Sequence, residues 1–158
     1  MAVRKIRIVL IEDSETMRFY YKGVFSKFGF DVLEAETGNK GWQLICDEQP
    51  DLIVLDMMLP DTNGFELLKK IRNFEFTREI PVLVLTSVKD IQNIHKALQL
   101  GANYYSIKGK DSPEKIQQMI YKLLKKALEK QAAAKAASTD PAEENRSDGE
   151  ITIDEFLR

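Results

Sequence analysis

Short apolar runs alternate five times along this chain with segments of helical periodicity. The apolar runs predict strands at residues 6–11, 31–36, 51–56, 81–86 and 103–107. Apolar residues that recur every three or four positions predict helices at 15–28, 39–48, 64–73, 90–100 and 112–137. This alternation favours an α/β fold, a doubly wound five-stranded parallel sheet with five helices, the last of them extended.

Capping residues support these boundaries. Ser14 and Asp90 can cap the first and fourth helices, and Gly29 and Gly101 can end the same two helices. The last helix carries an apolar stripe up to Leu128 and continues through an alanine-rich stretch that lacks large apolar residues.

The composition changes at the end of the chain. Residues 138–158 hold seven acidic and two basic side chains, a net charge of −5, which leaves +3 on residues 1–137 because the total is −2. We expect a domain at 1–130, followed over 131–158 by a helical extension, an acidic linker and a short amphipathic tail at 151–157.

Overall composition excludes several classes of protein. The chain has 158 residues, 44% of them hydrophobic, which is enough for a sizeable core. A net charge of −2 gives no electrostatic reason to expect direct nucleic-acid binding, and no apolar run is long enough to span a membrane. The single cysteine, Cys46, cannot form an internal disulfide, so we expect a cytoplasmic location.

Carboxylates follow two of the apolar strands. Glu12 and Asp13 follow the run 8–11, and Asp56 follows the run 52–55. The C-terminal ends of parallel strands share one edge of a sheet, so the three carboxylates should converge there. Mg²⁺ is the cation that best suits such a site, because it takes one or two carboxylates and keeps positions for water or phosphate.

Four sequence segments resemble the receiver domain of two-component response regulators across residues 5–128. All four stand at strand ends, in the family's order: Ile11-Glu12-Asp13, Asp56-Met57-Met58-Leu59-Pro60-Asp61-Thr62-Asn63-Gly64, Leu85-Thr86-Ser87 and Tyr105-Ser106-Ile107-Lys108-Gly109. Each segment alone is weak evidence for the family, but the four segments in this order are highly specific for it. The resemblance implies a flavodoxin-like sheet of strand order 2-1-3-4-5, and a chemotaxis-regulator-like switch that accepts a phosphoryl group rather than a conventional enzyme.

The resemblance also implies roles for the acidic residues. Asp56 would be the phosphoacceptor, receiving its phosphoryl group from a sensor histidine kinase or a phosphotransfer protein. Asp13, Asp56 and the backbone carbonyl of Met58 would ligate Mg²⁺ directly, and Glu12 would act through a metal-bound water.

Three further residues would complete the switch. Lys108 would pair first with the Asp56 carboxylate and then with the phosphoryl oxygens, and the Thr86 hydroxyl would bond a phosphoryl oxygen. Tyr105 would rotate into the space that the movement of Thr86 opens. These movements would change the surface of the fourth helix, fifth strand and fifth helix, where a downstream protein binds; a homodimer is left open.

The chain departs from the family pattern in two respects. Gly109 follows Lys108 where most receivers have a cis proline, so we expect a trans bond and a looser loop, since a non-proline cis bond costs roughly 3–4 kcal/mol. Met58 and Val88 stand two residues after Asp56 and Thr86, and neither can orient a hydrolytic water. Slow self-dephosphorylation is therefore expected.

Other interpretations remain open. The protein could be an adaptor that works unphosphorylated, although the acidic residues, Thr86 and Lys108 argue against this. It could be the N-terminal part of a longer regulator whose output domain is missing. An aspartate-nucleophile phosphatase is disfavoured, because that class has an acid where Met58 stands.

The tail and the first helix carry the remaining hypotheses. Residues 148–155 look like the back half of an EF-hand loop, but Arg146 at a calcium-ligand position argues against it. Residues 151–157 resemble short peptides that bind the helix-four and helix-five face of chemotaxis receivers; an unstructured or truncated tail is equally compatible. Kinase specificity is expected at exposed first-helix positions, with candidates Thr16, Met17, Tyr20 and Tyr21.

Overall fold

A five-stranded parallel sheet forms the centre of the protein, as seen in a computed structural model that describes residues 4–137. Its strands are β1 (Arg7–Ile11), β2 (Asp31–Ala35), β3 (Leu52–Leu55), β4 (Val82–Thr86) and β5 (Tyr104–Ile107). They lie in the order β2-β1-β3-β4-β5, with every neighbouring pair parallel. The predicted fold class and strand order are confirmed.

Five helices connect and follow the strands. They are α1 (Glu15–Lys27), α2 (Gly38–Glu48), α3 (Gly64–Asn73), α4 (Ile91–Gln99) and α5 (Pro113–Ala137). Every predicted boundary falls within one residue of the observed one. The differences arise mainly where a flanking residue outside the regular hydrogen bonding, such as Asp90, was counted in the element.

The predicted caps have the expected geometry. Ser14 Oγ accepts a hydrogen bond from the Met17 amide at 3.3 Å, and Asp90 Oδ1 accepts one from the Gln92 amide at 2.9 Å. Gly29 and Gly101 adopt φ values of +90° and +106°, a left-handed backbone that glycine adopts without strain. These local interactions fix where α1 and α4 begin and where the chain turns after them.

The helices divide into two layers, each covering one face of the sheet. On one face, α1 and α5 pack against alternate strand residues such as Ile8 and Leu83. On the other face, α2, α3 and α4 pack against residues such as Val9 and Val84. Trp42 packs, partly buried, against this second core, in agreement with its predicted packing role. Strands buried on both faces explain the continuous apolar runs in the sequence.

Helix α5 runs well past the sheet. Its 25 residues give it a length of roughly 37 Å at 1.5 Å per residue, whereas the strands have only four or five residues. Residues 129–137 are exposed, as the alanine-rich composition predicted. The tail predicted at 138–158 lies outside the described residues.

Candidate functional site

Three carboxylates converge at the C-terminal edge of the sheet. Glu12 and Asp13 follow β1, and Asp56 follows the neighbouring strand β3; carboxylate oxygens of all three lie within 4.8 Å of one another. The Asp56 amide donates to the Ile11 carbonyl at 3.0 Å, which extends the sheet bonding to the start of the site. Glu12 and Asp56 are buried, at 2% and 4% exposure, whereas Asp13 is open to solvent.

Lys108 brings a positive charge to this cluster from β5. Its ammonium lies 2.6 Å from Glu12 Oε2 and 2.7 Å from Asp56 Oδ2, and the side chain is only 10% exposed. Its amide donates to the Thr86 carbonyl at 2.8 Å, which fixes the backbone beside β4. The bond to Gly109 is trans, as expected. The lysine is nevertheless held firmly, because two buried carboxylates share its ammonium.

Both oxygens of Asp56 have partners. Oδ1 accepts hydrogen bonds from the Thr86 hydroxyl at 2.7 Å and from the Met58 amide at 3.1 Å, while Oδ2 accepts from Lys108. Thr86 has no exposed surface. Hydrogen bonds satisfy this buried carboxylate from three sides, as a desolvated charge requires.

These contacts move the pKa values of the cluster in opposite directions. Burial first, and then the hydrogen bond with Asp56, raises the pKa of Glu12 to about 7, against the opposing effect of Lys108. Burial alone would raise the pKa of Asp56, but hydrogen bonds from Glu12, Lys108, the Met58 amide and Thr86 bring it below its usual value. The pKa of Lys108 is raised because its two carboxylate partners outweigh burial. Asp56 is therefore the carboxylate kept ionised.

The donor set of this cluster fits a hard divalent cation. Carboxylate oxygens from two adjacent strands lie close enough to share one ion, and these are the ligands that Mg²⁺ prefers. Because Asp13 faces solvent, an ion held there could keep several water ligands, as Mg²⁺ usually does. Met58 lies in the loop after Asp56, where its amide already contacts the carboxylate.

Tyr105 is tied to the same loop as Thr86. Its phenol donates a hydrogen bond to the Val88 carbonyl at 2.6 Å, two residues after Thr86. Burial, and then the negative charge of Asp56, raises the pKa of this phenol. The ring is partly buried against the core formed with α2, α3 and α4. Both predicted switch residues therefore contact the segment that follows β4.

The surface beside the acidic cluster is formed by α1. Thr16 and Tyr20 are exposed and Met17 is partly buried, whereas Tyr21 is only 4% exposed. The expectation that Tyr21 is a surface position was wrong, because its ring stacks on Phe25 within the core. Tyr21 nevertheless lines, with the three other residues, a cleft of about 350 Å³ between α1 and the start of α5.

Sequence reasoning missed two interactions around the site. It did not predict direct pairing of Glu12 with Lys108. It also missed Asp61, whose carboxylate accepts hydrogen bonds from the Gly38 and Asn39 amides, both at 2.8 Å. These amides open α2, so Asp61 ties the loop after β3 to a helix more than twenty residues earlier. A charged residue in a turn gives no sequence signal for such a distant partner.

The chain belongs to the response regulator receiver domain family, which it matches over residues 8–121. It is 33% identical to chemotaxis protein CheY1 of Helicobacter pylori over 105 residues, 65% of this chain and 85% of that protein. It is 35% identical to the phosphate regulon transcriptional regulatory protein PhoB of Pseudomonas aeruginosa over 101 residues, 64% of this chain. The match spans 44% of PhoB, so less than half of that longer protein is represented.

A solved structure supports the same fold. A CheY-like response regulator receiver domain protein from Methanospirillum hungatei superposes with a TM-score of 0.74 at 24% identity, covering 80% of this chain and 99% of that chain. In residues 4–137, no helix is both long and apolar enough to cross a membrane. The chain is thus a receiver domain of the kind used in two-component signalling.

Proposed function

We propose that Asp56 accepts a phosphoryl group and that this modification switches the protein between two signalling states. The observation that carries the proposal is the contact set of Asp56, whose two oxygens are held by Lys108 on one side and by Thr86 and the Met58 amide on the other. A carboxylate that stays ionised while surrounded by hydrogen-bond donors is suited to act as a nucleophile.

Phosphoryl transfer to Asp56 requires no oxidant or reductant. An oxygen of Asp56 forms the new O–P bond while the donor's N–P bond breaks, and the released imidazole of the donor histidine takes a proton from solvent. Lys108 lies where it can follow the negative charge from the carboxylate to the phosphoryl oxygens. Positioning and charge neutralisation are the main requirements of phosphoryl transfer.

Asp13 and Asp56, with the backbone carbonyl of Met58, are the proposed ligands for Mg²⁺, and Glu12 is proposed to act through a bound water. When bound, Mg²⁺ neutralises charge on the phosphoryl oxygens. The close carboxylate oxygens of the cluster support this assignment. Lys108 already pairs with Glu12 and Asp56 and offsets part of their negative charge.

Thr86 and Tyr105 are the proposed switch residues. A phosphoryl group adds a charge of about −1.5 to −2 beside Asp56, and the Thr86 hydroxyl would follow it. Because Tyr105 bonds the Val88 carbonyl, any shift of the segment after β4 changes the position of its ring. The surface of α4, β5 and α5 would then present a different shape to a downstream protein.

The proposed phosphoryl donor is a sensor histidine kinase or a phosphotransfer protein. Thr16, Met17 and Tyr20 would contact it, since they lie on α1 beside the cleft that leads to the start of α5. The domain proper would end near residue 130, within α5. We propose a cytoplasmic location, consistent with one free cysteine, Cys46, which forms no disulfide.

Intact-protein mass spectrometry tests the proposal. The full chain is incubated with acetyl phosphate or phosphoramidate and Mg²⁺, alongside Asp56→Asn, the matched exposed-site control Asp47→Asn, and a chelator. We expect one phosphoryl adduct in the wild type and in Asp47→Asn, and none in Asp56→Asn or with chelator. An adduct that persists in Asp56→Asn would overturn the assignment, and a stable wild type without any adduct would favour an adaptor that works unphosphorylated.

A further inference from the structure

Three aromatic rings meet on the surface formed by α2 and α3. The aromatic cluster consists of Trp42 on α2, Phe74 at the end of α3 and Phe76 in the connection to β4. The ring centroids of Trp42 and Phe74 lie 5.6 Å apart, and those of Phe74 and Phe76 lie 5.7 Å apart. Phe74 is 42% exposed and Phe76 is 69% exposed. These rings take no part in the site around Asp56.

The connection that carries the cluster is firmly held. Thr77 is fully buried, and its hydroxyl donates to the Ile71 carbonyl at 2.6 Å. The guanidinium of Arg72 donates to the carbonyls of Arg78 and Ile80 at 3.0 and 2.7 Å. The exposed rings are thus presented by an ordered turn, and such pre-organisation lowers the entropy lost on binding.

The end of α5 lies beside the same connection. Lys130 Nζ on α5 is 2.7 Å from the carboxylate of Glu79, three residues after Phe76. From Lys130 the helix continues to Ala137, roughly 10 Å further at 1.5 Å per residue. Helix α5 therefore passes the connection between α3 and β4 at Lys130, seven residues before the described chain ends.

We infer that the amphipathic tail at residues 151–157 docks on the aromatic cluster of its own chain. Within residues 138–158, the large apolar side chains are confined to this segment: Ile151, Ile153, Phe156 and Leu157. The thirteen residues 138–150 can span at most about 45 Å, which exceeds the roughly 10 Å of helix between Ala137 and Lys130.

Charge favours the same pairing. The tail region 138–158 carries −5 and residues 1–137 carry +3. Lys70 lies over the Trp42 ring at 4.7 Å from its centroid, and Arg78 lies two residues beyond Phe76. Asp154 and Glu155, which stand between the apolar residues of the tail, can face these cations. Two acidic neighbours, Glu75 and Glu79, oppose them, and Glu79 already interacts electrostatically with Arg78.

The sole tryptophan makes the docking directly measurable. Trp42 is the only tryptophan in the chain, so its fluorescence and its single indole N–H resonance both report on the cluster. The test compares the 158-residue wild type with the 158-residue variant I151S/I153S/F156S/L157S, and with S138A/S147A as a control that keeps every apolar tail residue. All substitutions lie outside the described domain, so they leave its core intact.

The expected result is greater access of solvent to Trp42 when the tail is made polar. With an effective concentration on the order of 1 mM and an intrinsic Kd of similar size, about half of the molecules are docked. The acrylamide quenching constant should therefore rise by about 1.5-fold or more in the serine variant. The indole resonance should move in that variant and stay in place in the control.

A reciprocal variant and a dilution series complete the test. Phe76→Ser should shift the amide resonances of residues 151–157 while leaving the domain folded, because Phe76 is largely exposed. Unchanged quenching and an unchanged indole resonance in the serine variant would overturn the inference. So would a shift that disappears on dilution, which would indicate docking on a second copy, or tail-dependent shifts confined to α4, β5 and α5.

Discussion

The ammonium of Lys108 lies 2.6 Å from Glu12 Oε2, although 96 residues separate the two in sequence. The same ammonium lies 2.7 Å from Asp56, so one cation serves two buried carboxylates. Two negative charges with one positive charge leave an excess negative charge in a desolvated site, which is unfavourable. The pKa of Glu12 is raised to about 7. Burial is the larger cause of this rise, and the excess negative charge adds to it.

The pKa of Glu12 predicts a pH dependence of stability in metal-free protein. Because the folded pKa, about 7, exceeds the ordinary value of 4.5, the contribution of Glu12 is fully present below pH 4.5 and is lost as the pH rises to about 7. Relative to Glu12→Gln, the wild type should lose up to about 3 kcal/mol of unfolding free energy across that window.

Urea unfolding at a series of pH values, in the presence of a chelator, measures this difference. Glutamine at position 12 imitates the protonated carboxyl and removes the titration. A stability difference that stays constant between pH 4.5 and 7.5 would contradict the prediction.

The hydroxyl of Thr86 predicts a second effect on stability. Thr86→Val keeps the shape of the buried side chain but removes the 2.7 Å hydrogen bond to Asp56. Hydrogen bonds to charged groups contribute about 1.5–3 kcal/mol, so the unfolding free energy should fall by about that amount at pH 8. Thr86→Ser, which keeps the hydroxyl, should recover most of the loss; equal losses in both variants would point to packing instead.

The elements could be predicted from sequence because their signals are local. A strand buried on both faces gives an apolar run, and caps such as Ser14 act within three residues. The convergence of Glu12, Asp13 and Asp56 was predictable as well, since the C-terminal ends of parallel strands share one edge. Topology alone brings these three residues together.

Contacts between distant segments could not be predicted in the same way. The pairing of Glu12 with Lys108 depends on side-chain reach across β3 and β4, and the bonds from Asp61 to α2 depend on how two loops meet. Tyr21 was wrongly placed at the surface, although it stands four residues before Phe25, and that helical spacing marks the buried face of α1. The contacts of Glu12 and Asp61, in contrast, have no periodic signature.

Substitution by alanine should change the free energy of unfolding in opposite directions at two glycines, Gly64 and Gly23. At Gly64, an added Cβ would lie 2.6 Å from the Met57 Cα, and backbone cannot move aside easily. Gly64→Ala should lower the unfolding free energy by about 1–3 kcal/mol and slow phosphorylation, because Met57 adjoins Asp56. At Gly23, in the middle of α1, an added Cβ meets nothing within 4 Å.

Gly23→Ala should therefore raise the unfolding free energy by about 0.5–1 kcal/mol, since alanine loses less backbone entropy in a helix. Thermal unfolding of the two variants and the wild type, followed by circular dichroism, gives both changes in one experiment. We expect the unfolding temperature to be highest for Gly23→Ala, intermediate for the wild type and lowest for Gly64→Ala. A Gly64→Ala protein as stable as the wild type would show that the loop after Asp56 is not tightly packed.

The last prediction concerns the lifetime of phosphorylated Asp56 and rests on the proposed function. Hydrolysis needs a water oriented toward phosphorus, and polar side chains two residues after Asp56 and Thr86 are the natural groups to hold it. Met58 is 64% exposed and carries a thioether, and Val88 carries only methyl groups. We therefore expect slow self-dephosphorylation, and a half-life of seconds in Mg²⁺ buffer would contradict it.

Met58→Asn should shorten that lifetime. The side chain at position 58 is exposed, so an amide can be accommodated there and can hydrogen-bond a water beside the phosphoryl group. We expect loss of the adduct to accelerate about tenfold, below the 10²–10⁴-fold of a full general base. The decay of the adduct is followed by intact mass after removal of the donor, with Asp56→Asn as the zero-signal control. An unchanged decay rate would mean that water already reaches the phosphoryl group unaided, and that position 58 does not set its lifetime.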